Sequence, residues 1–264
     1  MPTIHANGID INCRLEGEGP ETVLLINGLA DDLDSWGYQV PALLEAGYRV
    51  ALFDNRGIGR TERPAGPYST ELLASDAKAV ADALKLDEYH VVGVSMGGMI
   101  AQKFALTYPE SVRSLTLAAT YAAPGAFCSR MFRMWAETAQ VLGVPFVMRD
   151  VTLWAFTLDF FQNRESELIE FETAMRYLDQ PVHAYLAQLA VIQTHDETAT
   201  LGTLTMPTLV LAGEQDILIP TALSHELHEL IPKSLWRTTP GGHGCMWEHP
   251  NEFNDALISF LRDN

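Results

Sequence analysis

Three residues carry the clearest chemistry in this chain: Ser95, Asp216 and His243. Ser95 lies in Gly93-Val94-Ser95-Met96-Gly97, between a strand-like run from Tyr89 and a helix-like run in which Ile100 and Phe104 share a face. A serine on a sharp strand-to-helix turn has its hydroxyl pushed out of the sheet, and flanking glycines let strand and helix approach each other. A helix beginning at Met96 aims its free N–H groups and positive dipole end at the same place. That suits a nucleophile whose reaction generates negative charge. A serine hydroxyl is a weak nucleophile at neutral pH, so a base is needed. His243, among glycines after an extended run, can take the proton and later give it to the leaving group. Asp216, following Thr208-Leu-Val-Leu-Ala212, can orient the imidazole and stabilise its charged form. Glu214 competes for this role, and Asp216 is preferred. The order Ser, Asp, His is the one that follows a nucleophile elbow of this kind.

An acyl carbonyl attacked by Ser95 becomes an oxyanion and needs donors. The Met96 N–H, next to the nucleophile, is one candidate. The other is the Leu29 N–H, in Asn27-Gly28-Leu29-Ala30 after the strand Thr22–Ile26. Other reactive side chains have blander readings. Of the eight histidines, His225, His228 and His249 read as helix-surface residues, whereas the places of His183 and His195 stay open. Asp54 reads as a turn or cap residue, and Asp31, Asp32 and Asp34 as surface turns near the oxyanion loop. The turn Asp54-Asn-Arg-Gly-Ile-Gly-Arg-Thr61 lacks the spacing of a phosphate cradle and reads as structural. The three cysteines, Cys13, Cys128 and Cys245, are widely spaced and match no zinc pattern. They read as free thiols in a reducing compartment, with Cys245 a bystander near the site.

The elements that would position these residues alternate. Residues 3–16 form a hairpin turning at Asn7-Gly8. Buried strands follow at 22–26, 49–53, 89–93, 112–118, 208–212 and 234–238, with helices over 35–46, 70–84, 223–230 and 250–262. Strands separated by helices imply an α/β class with a mostly parallel, eight-stranded sheet flanked by helices. Residues 122–203 break the pattern. Helical pieces are expected near 127–142, 145–161, 165–178 and 181–194, rich in large apolar side chains, and they read as a cap inserted after the sixth strand. The core would then be 1–121 with 204–264. Many of the cap's aromatics belong to its own core; Trp135 and Trp154 are candidates for the substrate pocket.

Composition narrows the partners. The 264 residues are 47% hydrophobic and 19% charged, enough for a sizeable core. The formal net charge of −17 argues against nucleic acid and against anionic membrane surfaces. The N-terminus lacks the basic start and apolar stretch of a signal peptide, and no apolar run approaches the ~20 residues of a membrane span. A cytoplasmic location is the expectation. An exposed apolar patch on the cap could support a homodimer.

The chain resembles the α/β-hydrolase family along essentially its whole length. The residues carrying the resemblance are Asn27-Gly28, Asp54-x-Arg56-Gly57-x-Gly59, Gly93-Val-Ser95-Met-Gly97-Gly98, Gly213-x-x-Asp216-x-x-x-Pro220 and His243-x-x-x-x-Glu248-x-Pro250. Residues 24–120 most resemble 3-oxoadipate enol-lactonase-like esterases and lactonases. The resemblance implies the α/β-hydrolase fold and a Ser-His-Asp hydrolase with a helical cap, no cofactor and no metal. Asn27 stands where many members have histidine; the loop backbone should survive this, since its donor is a main-chain group. Ser95 argues against the aspartate nucleophile of dehalogenases and epoxide hydrolases. The cap is poor in basic residues, which suits a small apolar ester or lactone better than an acid. The expected reaction is ester or lactone hydrolysis through an acyl-Ser95 intermediate. The alternatives are C–C bond hydrolysis, perhydrolysis or lyase chemistry at the same site, or a receptor that keeps the triad.

Overall fold

Continuous apolar runs become the buried centre of a sheet, and turn chemistry sets where they stop. In a computed structural model describing residues 3–264, the strands are β1 (Thr3–Ala6), β2 (Ile9–Glu16), β3 (Thr22–Ile26), β4 (Arg49–Phe53), β5 (Tyr89–Val94), β6 (Val112–Ala118), β7 (Thr208–Gly213) and β8 (Leu235–Thr239). They form one sheet in the order β1-β2-β4-β3-β5-β6-β7-β8. Only the β1–β2 and β2–β4 pairs are antiparallel. The hairpin turns where expected, with φ of +48° at Asn7 and +78° at Gly8, the two left-handed residues that a tight hairpin requires. Every residue of β3, β5 and β7 is buried, as strands covered on both faces should be.

Helices α1 (Gln39–Glu45) and α11 (Pro250–Arg262) cover one face of this sheet. The other is covered by α2 (Thr70–Ala83), α3 (Met96–Thr107) and α9 (Thr221–Leu230). Ser69 caps α2 by accepting from the Leu72 N–H. The helix expected over 35–46 is divided. A short 3-10 turn spans Leu33–Trp36, and α1 begins only at Gln39. Pro41 explains the break: a longer helix would bury its ring against the Gly37 carbonyl, whereas in the first turn it is tolerated. No helix of the described residues is long and apolar enough to cross a membrane.

Between β6 and β7 lie five helices where the sequence suggested four: α4 (Gly125–Leu142), α5 (Val144–Ala155), α6 (Leu158–Asn163), α7 (Glu165–Arg176) and α8 (Val182–Thr194). The run expected over 145–161 stops at Phe156 and restarts after Thr157, which is extended and caps α6 through the Phe160 N–H. The cause is a tertiary bond outside the segment. Glu248 ends a short helix, α10 (Cys245–Glu248), and its Oε2 accepts from both the Thr157 N–H (3.1 Å) and hydroxyl (2.6 Å). Its Oε1 accepts from the Gly242 N–H at 2.7 Å. One buried carboxylate therefore fixes both the α5–α6 bend and the loop before His243.

Replacing Glu248 with Ala strands those three donors and should lower stability by about 2–4 kcal/mol. Denaturant unfolding checks this, and a loss below about 0.5 kcal/mol would contradict it. A second expectation concerns pH. His90 and His195 are buried, and burial above all pushes each from 6.5 down to about 4. Between those values the unfolded chain binds protons that the folded chain refuses. Stability should be fully present above pH 6.5 and fall as the pH drops toward 4, by roughly 1–3 kcal/mol per histidine. Unfolding of His195→Gln should lose less between pH 7 and pH 5 than unfolding of the parent; an identical loss would overturn the assignment.

Candidate active site

The parallel strands β3, β5, β7 and β8 end at the same edge, and each hands the site one part. After β5 comes Ser95, with φ +55° and ψ −119°, a conformation that non-glycine residues rarely adopt and that costs of order 1–3 kcal/mol. The backbone around it holds the strain. The Ser95 N–H donates to the Ala118 carbonyl at 2.9 Å, and its carbonyl accepts from the Gly98 N–H and the Thr120 hydroxyl, each at 2.9 Å. The glycines are required by contact. A Cβ at Gly93 would lie 2.2 Å from the Gly97 carbonyl oxygen, and one at Gly97 would lie 2.0 Å from that of Ile26.

After β7, Asp216 is buried. Its Oδ1 accepts from the N–H groups of Leu218 (3.0 Å) and Ile219 (2.9 Å), and its Oδ2 lies 2.8 Å from His243 Nδ1. These bonds fix the carboxylate in place, and the bond at Nδ1 leaves the other imidazole nitrogen for the substrate side. Glu214 is exposed and reaches only toward Thr238. His243 and Ser95 open onto one cavity of about 580 Å³. Among the described residues no group of three or more His, Cys, Asp or Glu side chains could hold a metal ion. Cys245 is fully buried, and burial pushes its thiol up to about 12, so it is a thiol and not a thiolate at neutral pH.

After β3, the loop from Asn27 is held from several sides. Asn27 Nδ2 donates to the Phe53 carbonyl (2.9 Å), and its Oδ1 accepts from Trp36 Nε1 (2.6 Å). Asparagine at the position where histidine is common thus pins the loop to the end of β4. The Ala30 N–H donates to Gln188 on α8 at 3.2 Å, and Ala30 has φ +60°. No protein group among the described residues accepts from the N–H groups of Leu29 or Met96, and Leu29 lines the cavity. Both N–H groups are therefore unclaimed by an internal acceptor, and Leu29 and Ser95 line the cavity beside them. Asp54 has the expected structural role: it is buried and accepts from the N–H groups of Leu33 and Arg60 and from Asn12 Nδ2, each at 2.8 Å. Arg56 in the same turn is committed to buried Asp76 at 2.5 and 2.6 Å. Breaking such a pair leaves a buried charge alone, at about 3–5 kcal/mol, so Arg56 is not an anion ligand.

The cavity wall is mostly apolar, with Phe132, Trp135, Met148, Phe156, Phe171 and Trp247 among its residues. Trp135 is placed there as expected. Trp154 is not: it packs against Phe127, and its indole N–H points to Asp150, which also receives Trp135. The α5 register turns it away, because Val151 and Ala155 of the same helix face the cavity. His183 and His195 lie elsewhere, the first against the Arg63 carbonyl and the second buried against Gln102 and Tyr121. Asp31 and Asp32 also line the cavity, whereas Asp34 remains on the surface and pairs with Arg14. The expectation of three surface turns therefore fails for Asp31 and Asp32 and holds for Asp34.

With this geometry in place, comparison with known proteins is informative. Residues 21–250 match the family model described as the alpha/beta hydrolase fold. RutD of Azorhizobium caulinodans, which carries the provisional name carbamate hydrolase, is 30% identical over 261 residues, covering 98% of each chain. Among solved structures, the enol-lactonase of Burkholderia xenovorans LB400 superposes with a TM-score of 0.92 at 26% identity, covering 99% of this chain and 100% of that one. A thermophilic esterase of Thermogutta terrifontis gives 0.89 at 26% identity, covering 99% and 98%. Strand order, strained serine turn and family match agree: this chain belongs to the α/β-hydrolase family.

Proposed function

We propose that the chain is a serine hydrolase that cleaves a carboxylic ester or lactone of largely apolar character. The observation that carries this reading is the His243–Asp216 pair at 2.8 Å, opening onto the same cavity as the strained Ser95. In the proposed reaction His243 takes the Ser95 proton as the hydroxyl oxygen attacks the acyl carbonyl. The carbonyl oxygen, now an oxyanion, accepts from the Leu29 and Met96 N–H groups. Removing one such donor typically costs about 10²–10³ in rate. His243 then protonates the leaving alkoxide, and water activated by the same imidazole releases the acid. Asp216 holds the tautomer and stabilises the imidazolium throughout. For a lactone the leaving alkoxide stays tethered to the acyl group.

The aromatic and methionine wall supports an apolar substrate, because burying such a surface excludes water and strengthens the few polar contacts near the carbonyl. The relatives named for enol-lactone, ester and carbamate chemistry support hydrolysis at an acyl carbonyl, the step common to all three names. Ser95→Ala should reduce kcat/KM for a neutral aryl ester by at least about 10⁴-fold with the fold intact. Steady-state kinetics alongside circular dichroism test this; a well-folded variant that keeps full turnover would overturn the proposal.

A further inference from the structure

The cavity's ionisable groups are unevenly partnered. Arg63 donates to Asp179 at 3.1 Å and to the Gly59 carbonyl at 2.8 Å. His243 is held by Asp216. Asp32 accepts from the Asp34 N–H at 2.9 Å. The Asp31 carboxyl has no hydrogen-bond donor among the described residues, although it sits in the wall beside the candidate nucleophile. A methyl group built on Gly28 would clash with Asp31 Oδ2 at 2.7 Å and touch Ser95 Cβ at 3.6 Å, so carboxyl and serine both crowd the same side of Gly28. Leu29, whose N–H is a candidate oxyanion donor, lines the same cavity, so this acid lies close to the candidate site.

Such a carboxyl has consequences for the substrate. A second negative charge a few ångströms away, in a cavity with mostly apolar walls, is repelled strongly, whereas a cation or a hydroxyl finds an unclaimed acceptor. We propose that Asp31 sets the charge selectivity of the site. It admits esters or lactones that are neutral, or that carry a cationic or hydroxyl group near the scissile carbonyl, and it excludes those carrying a carboxylate there. The proposal rests on the hydrolase reading above and narrows its substrate class.

Burial first, and Asp32 second, push Asp31 up to about 7, while His243 opposes them. Arg60, Arg63 and Asp179 are the other charged groups on the cavity wall. Asp31 is thus largely neutral at pH 6 and largely ionised at pH 8.5. The selectivity should grow across that interval. A ratio between two substrates cancels any pH dependence of the machinery that both share.

The test compares aryl esters with acyl chains of equal length ending in methyl, trimethylammonium or carboxylate. Parent and Asp31→Asn are measured at pH 6 and pH 8.5. Matching fluorophosphonates are scored in parallel by their rate of attachment to Ser95. For the parent at pH 8.5, kcat/KM for the cationic ester should exceed that for the anionic one by at least about tenfold, and by less at pH 6. In Asp31→Asn the ratio should fall to within about threefold at both pH values. The methyl ester scales out any change in shared machinery. A parent that accepts both charges equally, or an Asp31→Asn variant that keeps the parental ratio, would overturn the proposal. Absence of ester turnover with rapid, charge-selective labelling of Ser95 would count against the ester-hydrolase reading and for Asp31.

Discussion

The site depends on how closely α3 approaches the sheet. Gly97 is in backbone contact with the end of β3, and Gly93 with the first turn of α3, at distances that no side chain survives. That approach forces Ser95 into the left-handed region and lifts it above the strand ends. It also brings the Met96 N–H beside the loop after β3. The position of the candidate nucleophile, the helix dipole and one candidate oxyanion donor therefore follow from a single packing constraint. Substituting any larger residue at Gly97 would have to push the helix away and would loosen all three together.

The remaining parts are set by buried polar ties rather than by apolar packing. Asp54 gathers the loops after β3 and β4, Gln188 reaches from α8 to the same loop, and Glu248 joins the loop before His243 to the α5–α6 junction. Each is a side chain that would be costly to bury alone and is fully used. Together they couple the helices between β6 and β7 to the strand-end edge that carries the candidate site. The approach to the cavity and the alignment of the imidazole thus share a common support.

Much of this was legible in the sequence, for identifiable reasons. The strands are continuous β-branched runs bounded by turns, and the serine turn carries its glycines with it. That Ser95, Asp216, His243 and the Leu29 loop gather at one edge follows from which residues succeed which strands. Three features were not legible. The break at Thr157 is dictated by Glu248, which is 91 positions away in the chain. The exclusion of Trp154 depends on the rotation of α5, which apolar content alone does not fix. Asp31 reads as a turn residue because acids in loops are usually solvated; only the folded loop shows that it faces inward. The pocket's shape is assembled from distant helices, so local pattern cannot supply it.

In the proposed mechanism catalysis proceeds through an ester bond on Ser95. Intact-protein and peptide mass spectrometry after rapid acid quench of a reaction with a slowly hydrolysed aryl ester detects that bond. A transient mass increase equal to the acyl group is expected, located on the peptide containing Ser95 and absent in Ser95→Ala. Sustained turnover of that ester with no acyl group on Ser95 at any quench time, and an undiminished rate in Ser95→Ala, would contradict it.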